Sequence, residues 1–313
     1  MKVGVVLNPA AGGGRMRLEW PFFAAALENR FGGIEVLQTG GPGEAPALAC
    51  ELARRGMDVV VAAGGDGTVS EVADGLLRLP EPRPALAVAP VGTGSDFAKA
   101  MGIPRRADAF AAAVAERPLR RIDAGRITYT GADREAATRH FVSIASLGVS
   151  GEIVRVINDA SAKKRGRMSG KALFFLYTLR ELMRYRFQRV RVQVDDQPPI
   201  ETDIALVAIA NNRSFGGGML IAPMAKMDDG MFEVVIVTGT SRWRLMRDLR
   251  LVYSGAHVGL DTCIMLRGRT VAVTPAGDPA VNAAALDVDG EWAGRIPATY
   301  EILPLALDVA GAT

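Results

Sequence analysis

The sequence has only two cysteines, Cys50 and Cys263, and two histidines, His140 and His257, among its 313 residues. So few thiols exclude a disulfide framework or a cysteine-rich zinc module, and so few imidazoles exclude a multi-histidine metal centre. The pattern reads as that of a reduced, intracellular chain. Charge of one sign is also missing: 37 basic against 34 acidic side chains leave a net +3, too small an excess for the broad positive field of a nucleic-acid binder. No apolar run approaches the roughly 20 residues needed to cross a bilayer; the best candidates are short, such as Ile204–Ala210. The opening run Val3–Leu7 stops at Asn8-Pro9, which does not read as a signal peptide.

What is present is apolar residues at 49% and 35 glycines, in a chain long enough for two domains. From Lys2 to about Asp123, short apolar runs alternate with helix-like stretches: Val3–Leu7 then Leu18–Arg30, Ile34–Leu37 then Glu44–Arg55, Val59–Ala63 then Thr68–Leu79, and Ala85–Ala89 then Asp96–Met101. Runs of Val and Ala without period-2 polarity suit strands buried on both faces, so this alternation predicts an α/β domain with a mostly parallel sheet. Glycine clusters at 12–14, 40–41, 64–65 and 92–94 follow those strands, where open α/β sheets bind ligands. After about Arg126 the texture changes. Val190-Arg191-Val192-Gln193-Val194 alternates, and short strands are divided by Asp195-Asp196, Asp229-Gly230 and Asp289-Gly290, which predicts a β-rich, sandwich-like domain. Helical stretches are expected at Gly151–Asp159 and about Ser169–Phe187 within it. The expected division is 1–125 and 126–313.

The sharpest local motif is Gly64-Gly65-Asp66-Gly67-Thr68-Val69-Ser70-Glu71. Its glycines admit a ligand close to the backbone, and Thr68 with Glu71 has capping-box spacing at a helix start, where amides favour an anion such as phosphate. Taken alone, an ordinary capped turn explains the same residues. Asp66 argues otherwise, because a carboxylate beside a phosphate requires a bridging cation or a proton-handling role. Pro90–Phe97 repeats the pattern and places Asp96 in the first turn of the next helix, where it could also serve only the helix dipole. Walker, dinucleotide and protein-kinase signatures are absent: Gly166–Lys171 continues with Ala172 and follows no strand, and neither glycine turn completes Gly-x-Gly-x-x-Gly.

Asn8-Pro9, Gly64–Glu71, Pro90–Phe97, Phe215–Met219, Asp228-Asp229-Gly230 and Asp289-Gly290-Glu291 occur in an order that resembles the diacylglycerol kinase catalytic-domain family, in its stand-alone bacterial form. The resemblance spans nearly the whole chain. It implies an N-terminal nucleotide-binding domain and a C-terminal lipid-substrate domain, with the active site in the cleft between them. It further implies ATP contacts at Asn8, Thr39, Gly65, Asp66, Gly67, Thr68, Val69, Ser70, Glu71 and Thr93. Asp229, with the carbonyls of Lys226 and Met231, would match a structural Mg²⁺ site; Glu291 would match the catalytic base, and Asp66 and Asp96 would organise Mg²⁺ and the acceptor hydroxyl. Without the family, Asp229-Gly230 and Asp289-Gly290-Glu291 read as hairpin turns.

The chain departs from the family at Ser95, at Asp74 in Glu71–Gly75, and at Ser143 after Phe141-Val142. These exchanges keep small polar side chains in place and bear on the acceptor. Lys163-Lys164-Arg165-Gly166-Arg167, the apolar run Leu173–Tyr177 and Arg180, Arg184 and Arg186 read either as a core helix with a solvated basic face or as a contact with an anionic membrane. The resemblance favours the second, and with it a cytoplasmic protein peripherally bound to the inner membrane face. The expected partners are ATP and a lipid acceptor, not nucleic acid, with homodimerisation left open. Two other functions remain: an NAD kinase-like enzyme that keeps the glycine turns, and a non-catalytic nucleotide-binding regulatory module.

Overall fold

The computed structural model describes residues 1–90, 95–131, 135–163 and 178–313, with the backbone alone for 158–163. The chain forms two units, Met1–Ala124 with Pro304–Thr313, and Gly125–Leu303.

In the first unit, β1 (Val3–Leu7), β2 (Ile34–Gln38), β3 (Val59–Gly64) and β4 (Ala85–Pro90) pair in parallel in the order β2-β1-β3-β4. Every residue of β1, β3 and β4 except Gly4 and Pro90 is Val, Leu, Ala or Gly64, and all are buried, as two-sided coverage by crossover helices demands. The helices are α1 (Arg15–Phe31), α2 (Ala45–Arg54), α3 (Asp66–Leu77), α4 (Asp96–Ala100) and α5 (Ala107–Glu116). The expected boundary placed residues 304–313 with the second domain, whereas they return to this unit. Val309 pairs in parallel with Leu86, Arg117 donates to the Gly311 carbonyl at 2.9 Å, and Arg120 to that of Thr313 at 2.7 Å.

Helix α3 is held close to α2 through Gly75, where a Cβ would lie 2.5 Å from the Pro46 carbonyl oxygen. Gly75→Ala should therefore destabilise the protein by about 1–3 kcal/mol through overpacking, although alanine is the better helix former by about 1 kcal/mol. A denaturant midpoint unchanged or raised in the variant would contradict this packing.

The second unit contains β5 (Arg120–Thr130), which begins in the first, β6 (Ala136–Phe141), β7 (Ile144–Gly148), α6 (Val149–Lys163), β8 (Gln188–Val194), β9 (Ile200–Ala210), β10 (Phe232–Thr238), α7 (Arg242–Val252), β11 (Cys263–Gly268), β12 (Thr270–Pro275), β13 (Ala285–Val288) and β14 (Glu291–Val309), which ends in the first. The β-rich character agrees with the alternation. The arrangement is more closed than two facing sheets, because antiparallel pairings run β7-β9-β8-β12-β14-β13 and back to β7. The cause is the length of β9, which pairs β8 through Ile200–Ile204 and β7 through Leu206–Ala210. Val190, Val192 and Val194 enter the core with Ile204, Val271, Leu286 and Tyr300, while Arg191 faces out to Glu201. Of the expected second helix, 178–184 is helical and residues 169–177 lie outside the described residues.

Candidate functional site

Two acidic centres emerge, one in each unit. In the first, the parallel strands end side by side: the Asn8 amide donates to the Ala63 carbonyl and that of Thr39 to Leu7, each at 2.9 Å. Asn8 Nδ2 donates to Thr68 Oγ1 at 3.0 Å, joining the end of β1 to the first turn of α3. Thr68 fits there because Gly64 has no side chain; a Cβ on Gly64 would stand 2.3 Å from Thr68 Oγ1.

The expected Thr68–Glu71 capping box is not formed. Helix α3 starts two residues earlier, with Gly65 as an extended N-cap and no side chain capping it. Thr68 is taken by Asn8, and Glu71 accepts the Gly43 amide at 3.0 Å. The anion-binding character thus resides in the α3 amides and its dipole, with open space above Gly65 where a Cβ would stand. Val69 and Ser70 are buried, so their side chains pack inside and only backbone groups could meet a ligand.

Asp66, first in α3, accepts hydrogen bonds from Ser95 Oγ and from the amides of Asp96 and Phe97 at 3.3–3.4 Å. Burial, and the charge of Asp96 beside it, push its carboxyl up to about 6 against three opposing hydrogen bonds. Asp96 is buried and pairs with Lys99 at 3.3 Å. The two carboxylates, first in α3 and α4, are oxygen donors of the kind Mg²⁺ takes, although Lys99 already holds one of them. Thr93 lies outside the described residues.

In the second unit, Asp289 and Gly290 have φ of 51° and 88° and form a two-residue turn between β13 and β14, with Val288 opposite Glu291, the positive-φ geometry that Asp-Gly hairpins adopt. Asp289 accepts the amides of Val142, Ser143 and Ile144 at 2.9–3.0 Å, fixing the turn against the link between β6 and β7. Half-buried Glu291 opens β14 immediately after it.

Behind the turn lies Asp287, which the sequence reading missed. It accepts the Gly290 amide at 2.8 Å and the Ser146 hydroxyl at 3.1 Å, and Ser146 and Ser150 stand 2.8 Å apart. Complete burial, with Asp289 and Glu291 nearby, pushes its carboxyl up to about 7. The available signal was an acid inside the apolar run Ala285–Val288. Because its value is raised on folding, the native state binds the extra proton, and stability falls as pH rises from about 4 to about 7. Asp287→Asn keeps the Gly290 bond through Oδ1, reverses the other so that Nδ2 donates to Ser146 Oγ, which can still donate to Ser150, and removes that penalty. It should raise stability above pH 7 by roughly 2–4 kcal/mol and flatten the profile between these limits; denaturant melts at pH 5 and 8 check this, and a loss at pH 8 would contradict it.

Asp229, expected as a metal ligand, accepts the Met231 amide at 3.2 Å and pairs with Arg267, whose Nε also contacts Glu233 at 3.2 Å. Burial pushes the Glu233 carboxyl up, with Arg267 opposing. Lys226 lies five residues before Met231 in the same turn region. Arg267 thus neutralises Asp229 in this structure, and a divalent ion there would have to share the carboxylate with it.

Comparison with known proteins bears on both units. Residues 2–127 match the diacylglycerol kinase catalytic domain, and residues 143–311 match the YegS C-terminal NAD kinase beta sandwich-like domain. The chain is 32% identical over 311 residues to a diacylglycerol kinase of Mycobacterium tuberculosis, covering 98% of this chain and 94% of that one. It is 31% identical over 260 residues to a diacylglycerol kinase of Bacillus subtilis, covering 82% and 79%. A solved structure of a diacylglycerol kinase from Bacillus anthracis shares its fold, with a TM-score of 0.69 at 21% identity over 99% of this chain and 96% of that one.

Proposed function

Because the chain belongs to the diacylglycerol kinase family, we propose that it transfers the γ-phosphoryl group of ATP to the hydroxyl of a diacylglycerol-like lipid. The observation that carries this reading is the pairing of Asp66 with Asp96 beside the side-chain-free N-terminus of α3. Lys99 already pairs with Asp96, so the charge left for a cation to join at this anion site is chiefly that of Asp66.

Phosphate binding falls to the first unit. The amides of Gly65, Asp66 and Gly67 and the dipole of α3 hold phosphate oxygens, with Asn8, Thr39 and Thr68 as the polar groups at the strand ends and Thr93 completing the set. Asp66 and Asp96 would hold Mg²⁺, which would supply charge neutralisation on the triphosphate. Proton acceptance falls to Glu291 of the second unit. The acceptor oxygen bonds to the γ-phosphorus, the bond from that phosphorus to the bridging oxygen breaks, ADP departs with the electron pair, and the hydroxyl proton passes to Glu291.

The lipid is collected at a membrane surface by a chain with no helix, among its described residues, long and apolar enough to cross one. Arg184 and Arg186 are exposed, in keeping with the basic stretch expected there, whose residues 164–177 lie outside the described set. The test is incubation with Mg²⁺, ATP and a total lipid extract, with NAD added in parallel, followed by mass spectrometry of every newly phosphorylated species. Phosphorylated diacylglycerol is the expected product. NADP formation, or no product despite ATP binding, would reject the proposal in favour of a dinucleotide kinase or a regulatory module.

A further inference from the structure

Helix α7 in the second unit has no buried residue. Its inner side carries Leu245 and Leu249, which pack on Val149, Ile153, Leu182 and Tyr185, and Arg242 Nε donates to the Tyr185 carbonyl at 3.0 Å. The helix is therefore anchored by one apolar edge. Its outer side is unusual. Trp243 is 72% exposed, and Tyr253, immediately after the helix, is 55% exposed; ten residues separate them, about 15 Å along the axis. Arg247 and Arg250 recur at i+4 and i+7 from Trp243 and are also exposed, so they share its face.

Two acids offset part of that face, Asp248 pairing with Arg247 and Asp261 with Arg244, and Arg250 adds a further exposed cation. Asp248 is 12% exposed at its side chain and is held by Arg247 at 2.7 Å and Arg244 at 3.8 Å. From Arg242 to Asp261 there are four arginines and two aspartates, a net +2. At the C-terminal end of the helix, Pro223 sits against Gly255, and its neighbour Met224 is 69% exposed, extending the apolar part of the surface. An indole and a phenol bracketing arginines on a firmly anchored helix match the interfacial zone of a bilayer, where aromatic rings sit at headgroup level and cations meet anionic phosphates.

We infer that the outer face of α7, with Trp243, Arg247, Arg250, Tyr253 and Met224, docks on an anionic phospholipid surface. Charge complementarity selects this occupant, because a second copy of the chain would oppose like charges on the same face. The helix packs on Leu182 and Tyr185, within the described part of the basic stretch, and presents a face of its own. The inference deepens the lipid-kinase reading by naming a surface, but vesicle binding is measurable whether or not that reading holds.

The test is co-sedimentation of the whole protein with vesicles of phosphatidylcholine alone and of phosphatidylcholine with about 30% phosphatidylglycerol, which gives an anionic surface. Tryptophan emission is recorded alongside with brominated lipids as quenchers. Binding is expected only to the anionic vesicles and to weaken with salt. Arg247→Gln combined with Arg250→Gln should lower partitioning about 30-fold, from roughly fivefold per cation. Trp243→Phe should remove the quenched component and leave most of the binding. Transfer to a short-chain diacylglycerol dispersed in detergent should be unchanged in these variants, which separates failure of docking from failure of the kinase reading. Equal binding of wild type and the double variant, or a concentration-dependent Trp243 shift without lipid that marks self-association, would overturn the inference.

Discussion

Glu291→Gln is expected to lower lipid phosphorylation by about 10²–10⁴-fold, the range for loss of a general base, in a protein that folds normally. The fold should survive because the hairpin is set by the positive φ of Asp289 and Gly290 and by the three amides that Asp289 accepts, none of which uses the Glu291 side chain. Glutamine matches glutamate in shape but cannot take the hydroxyl proton. Affinity for ATP should hardly change, because phosphate binding is assigned to the first unit. The expected signature is a fall in kcat with little movement in KM for ATP. A folded variant with near-normal turnover would remove Glu291 from the chemistry.

Asp66→Asn separates a catalytic from a structural role in a different way. As a purely structural acceptor, Asp66 would cap α4 through the amides of Asp96 and Phe97, and its replacement would cost stability. Its carboxyl is instead raised by burial and by Asp96, so at neutral pH the charge is a burden on the ligand-free fold. The asparagine should therefore hold or raise the melting temperature in buffer without divalent ions at pH 8, while cutting phosphoryl transfer at least about 10²-fold, as expected when charge stabilisation of several kcal/mol is lost. The sign follows from linkage: an acid raised on folding contributes its stability at low pH and loses it as pH climbs through about 6. Lower stability with unaltered turnover would reverse both assignments.

The features legible in the sequence were those written in neighbouring residues. Buried apolar runs such as Val59–Ala63 announce strands, glycines after them announce turns, and Asp289-Gly290 announces the hairpin that does form. Features that depend on distant partners were not legible. Glu71 lies three residues after Thr68, yet it turns to Gly43, 28 residues earlier, because an extended Gly65 lets α3 begin sooner than a threonine cap would. Asp287 looked like part of a strand, and its burial depends on Ser146, 141 residues away. The return of the last residues rests on partners far back in the chain: Val309 and Ala310 at Leu86, Asp308 with Arg121, the Thr313 amide at the Met101 carbonyl, and Arg117 and Arg120 at the carbonyls of Gly311 and Thr313. No local periodicity records such closures. The pairing of Asp229 with Arg267 is likewise 38 positions apart and was not legible in the Asp-Asp-Gly turn.

The most direct test is a single-turnover reaction with protein in excess over γ-labelled ATP and with diacylglycerol present, run on the unsubstituted protein, Asp66→Asn and Glu291→Gln, with bound ATP measured on the same samples. The expected result is label in the lipid at the first time points for the unsubstituted protein, slowed at least about 10²-fold in both variants, with ATP still bound by Glu291→Gln. Label reaching the lipid from Glu291→Gln at the unsubstituted rate would contradict it.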